Sequence, residues 1–293
     1  NPRTIRDPEG LPGKRFPGSP FFIPRTMRMN DSVEAAILKA AEAIRSSRHL
    51  IAFTGAGISV ESGVPAFRGE GGIWNRVDPD ALKLERFRSD PKGSWAVIRE
   101  LFYSAPEAPR PNAAHLVLAA WEAAGILDFL VTQNIDGLHR QAGSIKLAEF
   151  HGSLSELICA ACGAVYPADA ALVAQEPPCC SARKADGRVC GAPLKPRFVF
   201  FGEDIPRDAY VAAFAAAERA DACLIVGSTG LVYPAAEVPI LVKRHGGTVI
   251  EVDPSETEFT QSIADFHIAL GASEALRRLD ALVRRPGAKV NRA

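Results

Sequence analysis

Apolar residues recur at Val33, Ala36, Ile37, Ala40 and Ile44, a three-and-four spacing that lays one stripe along a helix. Asp31 with Glu34 reads as a capping box at its start. The unbroken run Leu50-Ile-Ala-Phe53 predicts a buried strand, and a glycine-rich stretch, Gly55 to Gly69, follows it directly. From 70 to about 111 the pattern breaks, with Gly71, Gly72, Trp74, Pro79, Pro91 and Pro106 punctuating short helical pieces. Regularity returns with a helix over Asn112–Ala124 and a strand over Phe129–Thr132. A cysteine-bearing segment spans about 153–195. After it the pattern predicts a helix over 208–219, strands over Cys223–Val226 and Thr248–Val252, and a last helix from Ser273 to about Arg284. Strands alternating with helices predict an α/β fold with a parallel, doubly wound sheet. The two irregular stretches then read as insertions that form a smaller lobe. Residues 1 to about 30, rich in Pro, Gly and Arg and lacking any period, read as a flexible extension.

Composition narrows the class. The 293 residues carry 34 basic and 34 acidic side chains, so no global charge favours nucleic acid or an anionic membrane. No apolar run reaches the ~18–20 residues of a membrane span, and a soluble cytoplasmic enzyme is the expectation. Five of the six cysteines fall between Cys159 and Cys190, too local for a disulfide framework and suited to a metal. Cys159-x-x-Cys162 has the spacing of a zinc knuckle, and Cys190 with one of Cys179 and Cys180 completes four thiolates. The sequence does not separate Cys179 from Cys180; the preferred set is Cys159, Cys162, Cys180 and Cys190. Four thiolates leave no open position, so the role would be structural. Cys223, inside an apolar strand, reads as core.

Gly55 and Gly57, one residue apart at a strand's end, would let backbone amides approach a pyrophosphate. The usual fingerprint places a third small residue at position 60, where this chain has Val. Phe67 and Arg68 stand at fixed distance from the loop, which suggests a cofactor that reacts. Thr132-Gln-Asn-Ile-Asp-Gly-Leu-His139 begins where a strand ends. Its Gln133, Asn134 and Asp136 suit either hydrogen bonding to a ribose or carboxamide, or an ordinary turn. His151 follows an apolar stretch and offers an imidazole suited to proton transfer near neutral pH.

Taken together, these segments resemble the sirtuins, NAD-dependent protein-lysine deacylases, here of bacterial type. The matching pieces are Gly55-Ala-Gly-Ile-Ser through Phe67-Arg68-Gly69, Thr132 to His139, His151-Gly152 and the cysteine quartet, followed by Phe200-Phe-Gly-Glu203, Val226-Gly-Ser-Thr-Gly and Val249-Ile-Glu-Val-Asp253. The resemblance runs from about residue 32 to 283. It implies a Rossmann-type NAD-binding domain (32–69, 112–152 and 195–285) and a smaller lobe made of a helical insertion (70–111) and a zinc module (153–194). Residues 1–31 are then an extension and 286–293 a tail.

The same resemblance implies roles for residues. Gly55, Ala56, Gly57 and Ser59 lie at the cofactor's phosphates, with Arg68 and Gln133 holding phosphates and ribose. Phe67 shields the reactive carbon. Asn134, Ile135 and Asp136 form the nicotinamide pocket, with Asn134 and Asp136 counted beside His151 as catalytic. Gly227, Ser228, Thr229 and Asp253 stand at the adenosine end. Val199, Gly202 and Glu203 on one side, with Leu231, Val232 and Tyr233 on the other, sandwich the acyl-lysine peptide as an added strand. Loss of nicotinamide leaves positive charge on the ribose C1′, which the acyl oxygen captures, and His151 acts as base on the ribose hydroxyls. NAD is thus consumed, one structural zinc is bound, and a monomer acting on acyl-lysine proteins is expected, with no nucleic acid or membrane partner.

Three departures matter. Gly227-Ser228-Thr229 replaces the family's Gly-Thr-Ser, and both orders supply hydroxyls. Asp253 replaces an Asn; its carboxylate suits ribose hydroxyls and disfavours a 2′-phosphate. The segment Arg68-Gly-Glu-Gly-Gly-Ile-Trp74 is near that of the desuccinylase and demalonylase branch. The Tyr-x-x-Arg of that branch is missing, because Ile98 and Leu101 occupy the matching positions, with Arg99 and Tyr103 out of order nearby. The expectation is therefore a neutral acyl group. ADP-ribosyl transfer, NAD hydrolysis, and a non-catalytic NAD-sensing scaffold are the rival readings.

Overall fold

The computed structural model describes residues 33–66, 72–75, 77–105 and 107–284. Helix α1 (Val33–Ser46) buries Ala36, Ile37, Ala40, Ala41 and Ile44, the expected stripe widened by one alanine. The Asp31 half of its expected capping box lies outside the described residues, as do the N-terminal extension and the tail.

Strand β1 (Leu50–Thr54) is wholly buried and leads into a 3-10 helix over Ala56–Ser62. The first insertion holds two further 3-10 turns (Ile73–Asn75 and Pro79–Leu82) and helices α2 (Leu84–Ser89) and α3 (Pro91–Phe102). Helix α4 (Ala113–Ala123) starts on Asn112, whose side chain accepts from the Ala114 amide as an N-cap. Strand β2 (Phe129–Thr132), helix α5 (Leu138–Gln141) and strand β3 (Leu147–Glu149) follow. The second insertion carries β4 (Gly152–Cys159), β5 (Val165–Pro167), α6 (Ala170–Val173) and β6 (Leu194–Phe198). The chain closes with α7 (Arg207–Arg219), β7 (Ala222–Val226), α8 (Glu237–Arg244), β8 (Thr248–Val252), α9 (Glu258–Ser262), β9 (Phe266–Ile268) and α10 (Ala272–Val283).

Six strands form one parallel sheet in the order β3-β2-β1-β7-β8-β9, and β5-β4-β6 form a small antiparallel sheet. The large sheet has the strand order of dinucleotide-binding folds, so the expected α/β doubly wound class is the one observed. β3 and β9 have three residues each, too few for a period to show in the sequence. α8 carries Pro239 in its first turn, where its missing amide is tolerated, and this masks the helix from pattern reading.

The sheet is covered on both faces. Ile37, Leu118, Trp121 and Leu276 pack on one side, and Phe150, Ala213, Val238 and Phe259 on the other. A third cluster joins the two insertions, with Leu82, Phe87, Trp95 and Ile98 against Leu157, Val173, Leu194 and Phe200. The Trp95 indole donates to the Leu194 carbonyl (2.7 Å) and locks that contact. No described helix is long and apolar enough to cross a membrane.

Candidate active site

Chain order reverses between β1 and β7, and open α/β sheets bind ligands in the crevice outside the strand ends at such a point. The two loops that leave these strands cross in direct backbone contact. The Gly57 amide donates to the Gly227 carbonyl (2.9 Å), and the Gly55 amide to the Val226 carbonyl (3.0 Å). Gly227 has φ +64°, and a Cβ there would lie 2.3 Å from the Ile58 nitrogen and 2.6 Å from the Gly57 Cα. Only glycine fits this crossing.

The residue at position 60 is explained by the same segment. The backbone forms a 3-10 helix rather than the α-helix of a standard fingerprint, and Val60 is half exposed on the wall of the crevice. About half of the side chain stays exposed there, so no small residue is required.

A cavity of about 730 Å³ opens over the crossing. It is lined by Gly55, Ala56, Gly57, Gln133, Asn134, Ile135 and His151, by Val199, Gly227, Ser228 and Thr229, and by Leu231, Val232 and Asp253. These expected site residues, distributed over some 200 positions, thus meet at one cleft. Ser59 and Asp136 stand behind the wall, while Gly202, Glu203 and Tyr233 lie beyond the lining. Phe67 and Arg68 fall outside the described residues. Glu61, Asp253, Glu256 and Glu258 also line the cavity, and among the described residues no Lys or Arg does.

Among the described residues one bond holds the base candidate. His151 Nδ1 lies 3.0 Å from the Gln133 carbonyl, which can only accept, so Nδ1 carries the proton. Nε2 is buried and, among the described residues, has no partner, which leaves it a free acceptor on a residue of the cavity wall. Burial lowers the His151 pKa to about 4, against a weaker upward pull from the Gln133 carbonyl. At neutral pH the ring is therefore an uncharged base. The Gln133 side chain reaches the other way and donates to Ser228 Oγ (2.7 Å), joining the loops after β2 and β7.

Beneath this wall Ser59 is a hub. Its hydroxyl donates to Asp136 Oδ2 (2.7 Å) and accepts from Asn134 Nδ2 (3.1 Å), which also reaches the Gly55 carbonyl (3.1 Å). His115 Nε2 lies 3.4 Å from the same hydroxyl, and Asn112 ties α4 to the loop through the Ile58 carbonyl (2.7 Å). Sequence reading did not single out His115 as a site residue; its one signal was the Asn112-x-x-His115 spacing of a helix cap. His139 packs against His115 (ring centroids 4.8 Å apart) and contacts Thr54 Oγ1 (2.9 Å). Glu251, fully buried, accepts from the Thr257 and Thr260 hydroxyls and closes the loop that bears Asp253.

Three buried imidazoles make stability depend on pH. Burial lowers the pKa of His115 and His151 to about 4 and that of His139 well below its ordinary value, whereas unfolding returns each toward 6.5. Between these limits the unfolded chain binds more protons, so stability is complete above about pH 6.5 and falls as pH drops toward 4. At pH 5 a fully buried imidazole contributes a loss on the order of 2 kcal/mol. Urea unfolding of samples matched for metal content should therefore show several kcal/mol less stability at pH 5 than at pH 7.5. Equal midpoints would contradict the buried, neutral state of these rings.

Away from the cleft, the Sγ atoms of Cys159, Cys162, Cys180 and Cys190 all lie within 4.8 Å of one another. The pairs Cys159–Cys190 (3.8 Å) and Cys162–Cys180 (3.5 Å) are near the ~3.8 Å edge of a tetrahedron with Zn–S bonds of ~2.3 Å. Cys179 is exposed and its thiol donates to the Pro177 carbonyl, outside the cluster.

A family model, described as the Sir2 family, matches residues 55–234. The chain is 45% identical over 242 residues to an NAD-dependent protein deacetylase of Caldivirga maquilingensis, covering 81% of this chain and 90% of the relative. It is 43% identical over 255 residues to an NAD-dependent protein deacylase of Pyrococcus abyssi, covering 85% and 98%. Among solved structures, a Sir2–p53 peptide–NAD+ complex superposes with a TM-score of 0.73 at 33% identity, covering 82% of this chain and 95% of that one. A further Sir2 enzyme structure gives 0.75 at 37% identity, covering 86% and 98%.

Proposed function

The chain belongs to the Sir2 family, and from that premise we propose how its residues carry out NAD-dependent deacylation of protein lysines. The activity itself is that of its relatives, which are NAD-dependent protein deacylases and deacetylases. NAD supplies a reactive glycosidic bond to nicotinamide and is consumed, leaving free lysine, nicotinamide and O-acyl-ADP-ribose.

The observation that carries the reading is the deprotonated Nε2 of His151, without a partner among the described residues, on a ring that lines a cleft built at the sheet's switch point. That nitrogen takes the proton from a ribose hydroxyl, and the Gln133 carbonyl steadies the imidazolium that results. The Ala56 amide and the Ser228 and Thr229 hydroxyls hold the phosphates and the adenosine half, with Asp253 accepting from a ribose; the Gly55 and Gly57 amides are spent on the Val226 and Gly227 carbonyls and only let the cofactor approach closely. Asn134 and Ile135, which line the cleft, take the nicotinamide, and Asp136 acts from behind the wall; the Ser59 hub fixes Asn134 and Asp136. Phe67 and Arg68 keep the shielding and phosphate roles that the family resemblance assigns.

The peptide adds as a strand between Val199–Glu203 and Leu231–Tyr233. Two features support this. Among the described residues no hydrogen bond occupies the Val199 carbonyl or the Gly202 amide, and Val199 shares the cavity lining with Leu231, which with Tyr233 exposes apolar surface.

The acyl end is apolar. Leu82, Phe102, Ile135, Phe198 and Phe201 line that arm of the cavity. Arg99 is turned to the Val173 and Gln175 carbonyls and to Glu176, and the Tyr103 hydroxyl donates to the Leu154 carbonyl. Neither is free to meet a carboxylate, and burying one unpaired is costly. With a panel of acyl-lysine peptides, kcat/KM for acetyl should exceed that for succinyl by at least tenfold. A higher value for succinyl would overturn the assignment.

The four clustered cysteines hold one structural zinc, in keeping with their tetrahedral spacing. The same reading divides the chain into an NAD-binding domain (32–69, 112–152, 195–285), a helical insertion (70–111) and a zinc module (153–194). It also makes the protein a cytoplasmic monomer, with balanced charge arguing against a nucleic-acid partner.

A further inference from the structure

Lys195 is a cation at 5% exposure, placed on β6 between the cysteine cluster and the peptide groove. Its ammonium donates to the Pro196 and Phe198 carbonyls (both 2.9 Å), pairs with Glu203 Oε2 (3.1 Å) and lies 4.7 Å from the centre of the Phe200 ring. A buried charge is tolerated only when it is paired and hydrogen-bonded in this way.

The partners are the informative part. The Phe198 carbonyl and the Val199 amide belong to one peptide group. Its oxygen is held by Lys195, and its N–H donates to the His151 carbonyl (2.8 Å). One residue on, the Phe200 amide donates to Glu203 Oε2 (3.0 Å), the oxygen that faces Lys195. The Glu203 side chain, expected at the substrate, is therefore turned inward, and only its backbone remains to face the groove.

We propose that Lys195 is a positioning residue for the acyl-lysine peptide. It fixes the Val199–Glu203 rail in register with His151 and acts on substrate through that rail without touching the reacting atoms. This rests on the reading that the rail pairs with the peptide as a strand. The His151 ring is oriented separately by the Gln133 carbonyl, so loss of Lys195 weakens peptide binding far more than chemistry. NAD binds on the far side of the cleft and is little affected.

Steady-state kinetics of Lys195→Met, Lys195→Arg and Glu203→Gln test this, alongside an acyl-lysine peptide N-methylated at successive backbone amides. Lys195→Met should raise KM for peptide about tenfold or more, leave KM for NAD within about twofold and lower kcat at most about threefold; Lys195→Arg should recover most of the loss. Should Lys195→Met fail to fold, Glu203→Gln, which removes only the charge, should show the same split in weaker form. If N-methylation impairs wild-type binding but these variants leave KM for peptide unchanged, or raise both KM values alike, the role of Lys195 is overturned and the rail stands. If N-methylation at every position is without effect, the strand-pairing reading itself fails.

Discussion

Replacing His151 with alanine is expected to lower turnover by roughly 10²- to 10⁴-fold, the usual contribution of a positioned general base, while NAD binding changes little. Among the described residues the ring's one protein hydrogen bond is from Nδ1 to the Gln133 carbonyl, and Nε2 is left without a partner on a residue that lines the cleft. No other histidine is among the described lining, and of its acidic residues Asp253, Glu256 and Glu258 come from the loop and helix start after β8, while Glu61, on the 3-10 helix, accepts from the Ser273 amide. The contacts expected to retain NAD arise elsewhere, at the Gly55–Gly57 and Gly227–Thr229 loops. Calorimetric titration with NAD and single-turnover deacylation separate the two effects. Near-normal deacylation by His151→Ala would remove the ring from the mechanism.

The second large effect is on stability. Gly227→Ala places a methyl against the backbone of Gly57 and Ile58, and no flexible side chain is there to give way. A non-glycine residue at φ +64° adds strain of ~1–3 kcal/mol, and overpacking adds a further ~1–3 kcal/mol. The sum, on the order of 4 kcal/mol, is a large share of the 5–15 kcal/mol typical of a folded protein. Gly63→Ala is the matched control, with φ +83° and nothing within 4 Å of the added carbon, so it carries the strain without the collision. Urea unfolding should rank Gly227→Ala well below Gly63→Ala. Equal stabilities would show that the loop crossing yields more easily than its contacts imply.

Much of the scaffold was legible because its signals are local. The runs at Leu50–Phe53, Cys223–Val226 and Thr248–Val252 are buried strands of a parallel sheet and read as such, and the Val33–Ile44 stripe faces the core. The cysteine spacing marked the thiol cluster, although only the fold separates Cys180 from its neighbour Cys179. What escaped depends on pairs of residues far apart in the chain. The tolerance of Val60 follows from a 3-10 backbone that no period announces. Gly57 and Gly227 look like two ordinary turn glycines until their loops cross. Lys195 resembles a surface lysine in sequence, and its burial follows from the meeting of β6 with the Phe200–Glu203 turn. His115 reads as part of a helix cap, because its contact with Ser59 spans 56 positions.

The central claim is that acyl transfer from lysine to the ribose of NAD takes place in this cleft. Its most direct test is mass-spectrometric analysis of the products formed from NAD and an acetyl-lysine peptide. The account predicts nicotinamide, deacetylated peptide and O-acetyl-ADP-ribose in equal amounts. Nicotinamide with free ADP-ribose and an unchanged peptide, or with an ADP-ribosylated peptide, would contradict it.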